Sequence, residues 1–274
     1  MPELAELKIT AEYINTLCKD LTFTSVLKNP NNKNTNLTVP FNLFKIRAES
    51  RGKELRLTLT KESDRYSAEL DIFMNMGMSG YFELLQKGHE KKHSQLVFST
   101  APTGGLGEFS LCFIDQRRFG RWKQDKDWSP NRGPDPTVDF NQFQMNIFKH
   151  LHKQDFDRPI HEILLNQKYF NGIGNYLRAE IIYRADVNPF SEAREVILNS
   201  PNLLDLCKEV PMIAYALNGG QLKDWKNPFG ENPQDFHEFI KCYGKPEMAK
   251  ITDSLNRTFW FDPKWIKPIS DVSN

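Results

Sequence analysis

Cysteine is scarce in this chain. Four residues, Cys18, Cys112, Cys207 and Cys242, are spread over 274 positions, and no two form a CxxC pair. This excludes the usual zinc-finger ligand spacing and gives no disulfide framework. Buried, reduced thiols in an intracellular compartment are the simplest expectation. No run approaches eighteen apolar residues, so no membrane-spanning helix is expected. The N-terminus, MPELAELKIT, carries acids where a secretion signal would carry a basic region and an apolar core, so secretion is not expected. Neither sign of charge dominates: 36 basic against 35 acidic residues leave +1. Bulk charge therefore names no partner, and what matters is where the basic groups lie. What is present is 39% hydrophobic residues, 26% charged residues and twenty Phe. That composition fits a globular chain long enough to bury its own core.

Hydrophobic spacing divides the chain. Residues 3–19 read as a helix, with Leu4, Leu7, Ile14, Leu17 and Cys18 at three- and four-residue steps. From about 21 to 122 short strand-like runs follow, among them 53–60, 67–76, 94–100 and 109–115. Asn-rich and Gly-rich turns separate them, an antiparallel β pattern. WSPNRGPDPT at 128–137, with three Pro and one Gly, reads as a linker. Helical periods then take over. Phe143, Ile147, Phe148 and Leu151 make one stripe, Ile160, Ile163 and Leu164 a second, and Leu177 with Ile181 a third, opened by Asn175 as N-cap. Leu203–Leu217 is largely apolar, and Phe236, Phe239 and Ile240 mark a last helix. The end returns to strand chemistry at 248–252 and 257–261 around a DSLN turn. The expected organisation is an N-terminal helix and β domain over 1–127, a linker over 128–137, a helical domain over 138–245, and a hairpin with a tail over 246–274.

Three features carry chemistry. The first is Pro2. Removal of the initiator Met would leave it a free secondary amine. An α-amine titrates near pH 8, and an adjoining helix N-terminus disfavours its charged form further. A neutral amine is a nucleophile toward an aldehyde-level carbon, and the resulting iminium is an electron sink. Glu3 adjoins it, and Glu6 lies three residues on along one helical face. On the N-terminus alone, the plainer reading is Pro2 as the first helical residue with two Glu complementing the dipole. The second feature is NQKYFNGIGNYLRAE (166–180). Its GxG pair ahead of a helix exposes N–H groups suited to a phosphate, but it lacks the six-residue dinucleotide fingerprint. The third is a set of basic residues: Arg51, Lys53, Arg117, Arg118, Arg121 and Arg257. Met78, Phe119 and Trp122 are interspersed among them, a mixture suited to a nucleic-acid groove. Singly, each is a solvated charge or a core aromatic.

Together these segments resemble the formamidopyrimidine-DNA glycosylase and endonuclease VIII family of base-excision repair enzymes. MPELAE, RGKELRL (51–57), MGMSG (76–80), DQRRFGRW (115–122) and FNGIGNYLRAEIIYRA (170–185) stand in the family's order. CYGKPEMAKITDSLNRTFWF (242–261) resembles the zincless finger of the family's Nei-like branch. The resemblance implies an α+β fold: an N-terminal helix on an antiparallel β-sandwich, then a helical domain with a helix-two-turn-helix motif and a zincless-finger hairpin. It implies a bifunctional glycosylase and abasic-site lyase acting on oxidised pyrimidines and ring-opened purines. It places the nucleophile on Pro2, the general acid/base on Glu3, the orienting carboxylate on Glu6 and the phosphate-clamping lysine on Lys53. DNA contacts fall on Asn175 and Arg257, and the residues that fill the hole left by an extruded nucleotide on Met78, Arg117 and Phe119.

The same resemblance implies no metal, no zinc and no organic cofactor. The partner is damaged DNA, duplex, bubble or single-stranded, gripped by a monomer without a membrane. The location is nuclear in a eukaryote and cytoplasmic otherwise. Three departures stand out. Ala5 replaces the family's usual Pro, Gln221 stands in the lesion-contacting loop where Lys or Arg is usual, and the long basic tail of relatives is not among the 274 residues. A catalytically silent damage-binding protein on the same scaffold is the alternative reading.

Overall fold

The computed structural model describes residues 2–61, 68–102, 107–124, 127–220, 227–230 and 234–266. They form two compact units, 1–130 with 218–233, and 131–217 with 234–274. The 218–233 segment, within the expected helical stretch 138–245, groups with the first unit.

The first unit holds helix α1 (Leu4–Cys18) and strands β1 (Phe23–Lys28), β2 (Phe44–Arg51), β3 (Glu54–Lys61), β4 (Glu69–Asn75), β5 (Tyr81–Gln86), β6 (Ser94–Thr100), β7 (Phe109–Ile114) and β8 (Arg121–Gln124). All pairings are antiparallel, in the order β5-β7-β6-β1-β2-β3-β4-β8. Strands β1 and β2 share a single pair, Phe23 with Phe44, whereas β2 and β3 pair along their whole length. The sheet therefore folds at Phe23–Phe44 into two leaves, the sandwich-like arrangement expected from the period-2 runs. Phe113 of β7 meets Trp122 of β8 edge-on at 6.2 Å, joining the far ends of the leaves. The core is apolar: Phe23, Phe44, Leu55, Leu57, Leu59, Phe98 and Phe113 are wholly buried.

The fold at Phe23–Phe44 leaves part of β2 without a strand neighbour, and α1 supplies the missing partners. The Asn15 side chain donates to the Ala48 carbonyl at 2.8 Å and accepts from its N–H at 2.7 Å. Tyr13 accepts from the Leu84 N–H of edge strand β5 at 3.0 Å. Backbone groups that would be orphaned under the helix are thereby satisfied, which fixes how α1 lies on the sheet.

The second unit contains α2 (Phe140–His150), α3 (Ile160–Ile163), α4 (Asn175–Ala185), α5 (Ala193–Asn199), α6 (Asn202–Ala216), α7 (Gln234–Phe239) and the hairpin β9 (Ala249–Thr252) and β10 (Thr258–Phe261). No described helix is long and apolar enough to cross a membrane. Two local expectations need correcting. Phe148 does not join the buried α2 stripe. Five residues on from Phe143 it turns off that face, and it is 51% exposed. The cap of α4 is Gly174, in extended backbone, with Asn175 as the first helical residue. The Asn175 side chain makes other bonds, described below.

A buried ion pair ties α4 to the hairpin. The Arg178 and Asp253 side chains are 0% and 1% exposed and meet at 2.7 Å. Arg178 also donates to the His161 carbonyl at 2.9 Å and lies 4.7 Å over the Phe259 ring. Phe259 stacks on His161 at 4.9 Å. The other Asp253 oxygen accepts the N–H groups of Leu255 and Arg257, both at 2.9 Å, which shapes the hairpin turn. Glu180, wholly buried, accepts the N–H groups of Lys241, Cys242 and Tyr243 where the chain leaves α7 for the hairpin. Burial works to raise the Asp253 carboxyl, but the Arg257 N–H and the Arg178 guanidinium outweigh it and hold it below the usual carboxylate range. Burial lowers His161, against the Pro189 carbonyl that its ring N–H reaches at 2.8 Å.

Removing one partner of a buried pair strands the other charge. Asp253→Ala is expected to cost the second unit about 3–5 kcal/mol, and the joint change Arg178→Met with Asp253→Leu to recover much of it. Urea midpoints check this, and equal losses in the single and joint variants would contradict it. Acid should act in two stages, because a neutral buried His is paid for when the unfolded chain protonates and a depressed Asp is paid for when its carboxylate is lost. Stability is expected to fall first below about pH 6.5 and again below about pH 4. Urea midpoints stepped through pH read both, and a flat profile down to pH 4 would refute the first stage.

Candidate functional site

The N-terminal cluster is built by how α1 starts. Glu3 is the N-cap, in extended backbone, and Leu4 is the first helical residue. Glu6, one turn in, returns its Oε2 to the Glu3 N–H at 2.7 Å. This is the reach-back half of a capping box. Pro2 therefore lies outside the helix, not at its first helical position, and the plain N1 explanation for a proline does not apply. Pro2 is buried, and Glu3 and Glu6 are 2% and 0% exposed.

Glu6 has a second bond. Its Oε1 accepts the N–H of Gly220 at 2.8 Å. Gly219 beside it takes φ +69°, and a Cβ there would come within 2.8 Å of Ile9 and 3.1 Å of Glu6 Oε1. A glycine is needed on both counts. One carboxylate thus holds the start of α1 and the glycine pair together. Both Glu6 oxygens are committed to backbone N–H groups, and the Glu3 side chain in turn accepts the N–H of Glu6, which closes the capping box. Gln221, the next residue, lies outside the described residues, as does Met1.

Lys53 sits in the two-residue turn between β2 and β3, opposite the Arg51–Glu54 pair. Gly52 alone of the turn pair has positive φ, at 57°, as a II′ turn requires. The ordinary signal for a hairpin turn therefore also fixes where the lysine emerges, and Lys53 is 9% exposed.

Met78, Arg117 and Phe119 come together on two loops at one end of the sandwich. Residues 76–80 turn through a bond from the Gly80 N–H to the Met76 carbonyl. The second loop runs from β7 to β8. The loops touch where a Cβ on Gly77 (φ +65°) would stand 2.7 Å from the Gly120 nitrogen and 2.8 Å from the Phe119 carbonyl carbon. The Arg117 guanidinium lies 5.0 Å from the Phe119 ring centre, and that ring is 49% exposed. An exposed ring with a cation over it offers a surface on which a flat group can stack.

In the second unit Asn175 stands at the start of α4. Its oxygen accepts from Arg178 at 2.6 Å and its nitrogen donates to the Thr258 carbonyl of β10 at 2.8 Å. Arg257, half-buried, immediately precedes β10, and its N–H is held by Asp253. The buried Arg178–Asp253 pair therefore holds the Asn175 side chain through Arg178 and the Arg257 backbone through Asp253. Sequence reading assigned no role to this pair. Its signal, a charged residue on the apolar side of α4, is visible only once the partner's position is known. Among the described residues no group of three His, Cys, Asp or Glu could hold a metal ion.

Comparison with known proteins agrees with this layout. Residues 1–122 match the model of the formamidopyrimidine-DNA glycosylase N-terminal domain, and residues 132–221 that of the formamidopyrimidine-DNA glycosylase H2TH domain. The chain is 38% identical to human Endonuclease 8-like 1, over 98% of this chain and 74% of that protein. In fold it is similar to the MutM (Fpg) protein of Thermus thermophilus, with a TM-score of 0.77 at 23% identity over 96% of this chain and 98% of that one. It is likewise similar to the Lactococcus lactis Fpg solved with abasic-site DNA, with a TM-score of 0.75 at 21% identity over 96% and 98%. On the two domain matches and the near full-length identity, the chain belongs to the formamidopyrimidine-DNA glycosylase family, which includes the endonuclease 8-like proteins.

Proposed function

We propose that this protein is a DNA repair glycosylase that also cleaves the strand, with the Pro2 amine as nucleophile. The observation that carries the reading is the buried Pro2–Glu3–Glu6 cluster, in which Glu6 is spent on two backbone N–H groups. Pro2 stands ahead of the helix cap, beside one carboxyl and next to a helix start braced by another. That placement is what amine catalysis needs.

A base inside a duplex shields its C1′, so the nucleotide must be extruded, at a cost of a few kcal/mol. Met78, Arg117 and Phe119, already gathered on two touching loops, would enter the gap and offset that cost. Lys53 in the first unit, and Asn175 with Arg257 in the second, would hold backbone phosphates without reading sequence. The hairpin that carries Arg257 would act as a finger without zinc, its turn held by Asp253 where a metal would otherwise serve.

With Met1 removed, the Pro2 nitrogen attacks C1′ and the damaged base leaves with the bonding pair. Glu3 supplies a proton to the sugar ring oxygen as the ring opens to the iminium. Loss of a C2′ proton expels the 3′ phosphate, and a second elimination expels the 5′ phosphate. Water then frees the sugar remnant from the amine. The lesions that fit the family are oxidised pyrimidines and ring-opened purines.

Pro2→Gly keeps an amine but loses the secondary nitrogen. It is expected to bind abasic-site duplex within about twofold of the parent and to cleave it at least ~10-fold more slowly, or ~1.4 kcal/mol in barrier. Single-turnover cleavage with a binding assay separates the two effects. Unchanged cleavage would remove Pro2 from the reaction, and binding without cleavage by the parent would leave a silent damage-binding protein. Arg257→Ala is expected to weaken binding alike across lesions and to lower the slope of log affinity against log salt by about 1. An unaltered slope would take Arg257 off the phosphate.

A further inference from the structure

We infer that Asp115 is the positioning residue that makes the two insertion loops act as one wedge. This rests on the proposed function, because it concerns how the gap left by an extruded nucleotide is filled.

Asp115 immediately follows β7 and is 0% exposed. Its side chain reaches both loops. Oδ1 accepts the Ser79 hydroxyl at 2.7 Å, on the loop that carries Met78. The same oxygen accepts the Arg117 N–H at 3.2 Å, and Oδ2 accepts the Gly120 N–H at 2.7 Å, bracketing Phe119 on the other loop. Its own backbone is pinned as well. Its carbonyl accepts from Gln95 at 3.1 Å and its N–H reaches the His93 carbonyl at 3.0 Å.

Met78 and Phe119 are thus each one position from a bond to this carboxylate, and Arg117 makes one through its own N–H. The arrangement is tight in space too. A Cβ on Gly120 would stand 2.7 Å from the Phe113 ring and 3.1 Å from Asp115 Oδ2, and Gly77 admits no side chain against Gly120. Arg118, between Arg117 and Phe119, takes φ +57°, a left-handed turn that a non-glycine residue adopts only when its surroundings hold it there.

A carboxylate accepts at both oxygens along several directions, which is why Asp serves and its amide would not. In Asp115→Asn one acceptor becomes an NH2 donor. At either position it would face a backbone N–H that had been donating to it, that of Arg117 or of Gly120, whereas the Ser79 hydroxyl can turn to accept. The two loops would lose their common anchor while the side-chain volume stayed the same. The functional consequence is specific. Wedge residues matter only when a duplex must be opened and its gap filled. They are irrelevant to amine attack on a sugar that is already unstacked.

The test uses the Met1-processed full chain and two abasic-site probes, one single-stranded and one duplex with 2-aminopurine opposite the site. Iminium formation is read by borohydride trapping and gap filling by 2-aminopurine fluorescence. Asp115→Asn is expected to trap the single strand within about twofold of the parent, and the duplex at least ~10-fold more slowly, with a smaller fluorescence change on binding. Ser79→Ala removes only the Met78-loop bond and should show a weaker form of the same split. Gly77→Ala, which forces the loops apart without touching Asp115, should reproduce it. Thermal melting of each variant shows whether it is folded. Equal slowing on both probes, or no slowing on either, would overturn the inference. If the parent itself trapped neither probe, the proposed function would fall first and the inference with it.

Discussion

The start of α1 is set by one carboxylate with two backbone obligations. Glu6 must satisfy the Glu3 N–H at the cap and the Gly220 N–H of a segment more than two hundred residues away. A buried carboxylate without those donors would cost far more than either bond yields. Their presence fixes three things together. The helix begins at Leu4, Pro2 is left outside it, and the glycine pair before residue 221 lies against the helix start. The setting of the proposed N-terminal chemistry then follows from a capping preference that exists in any helix.

The same economy recurs elsewhere in the fold. Asp115 gathers two loops, and Asp253 shapes a hairpin turn while paired with Arg178. Glu180 takes three N–H groups where the chain enters the hairpin. Each is a buried carboxylate used as an acceptor for backbone donors in irregular segments. This is the physical answer to a chain with few cysteines and no metal-ligand cluster among its described residues. Irregular backbone needs partners, and charged acceptors supply the strongest ones.

Much of this was legible in the amino-acid sequence. The period-2 runs marked β6 and β7 almost to the residue, and the three-four spacing marked α1. The ordered motifs pointed to the family that the domain matches then showed. Other features could not be read. Phe148 carries the same apolar signal as Phe143, and only the position of the neighbouring helices decides which one is buried. Asn175 looks like a cap because Asn usually caps, but here Arg178 and Thr258 compete for its amide and Gly174 takes the cap. Asp115 and Arg178 stood inside recognised motifs without a role. Their meaning comes from contacts made by residues 36 and 75 positions away, which local pattern does not encode.

The central claim is that catalysis passes through a covalent bond from the N-terminal amine to the sugar. Peptide mass mapping of the borohydride-reduced protein–DNA adduct tests it most directly. The account expects the deoxyribose remnant on the N-terminal peptide, attached to the Pro2 nitrogen after loss of Met1. A remnant on a lysine peptide, Lys53 included, would contradict it.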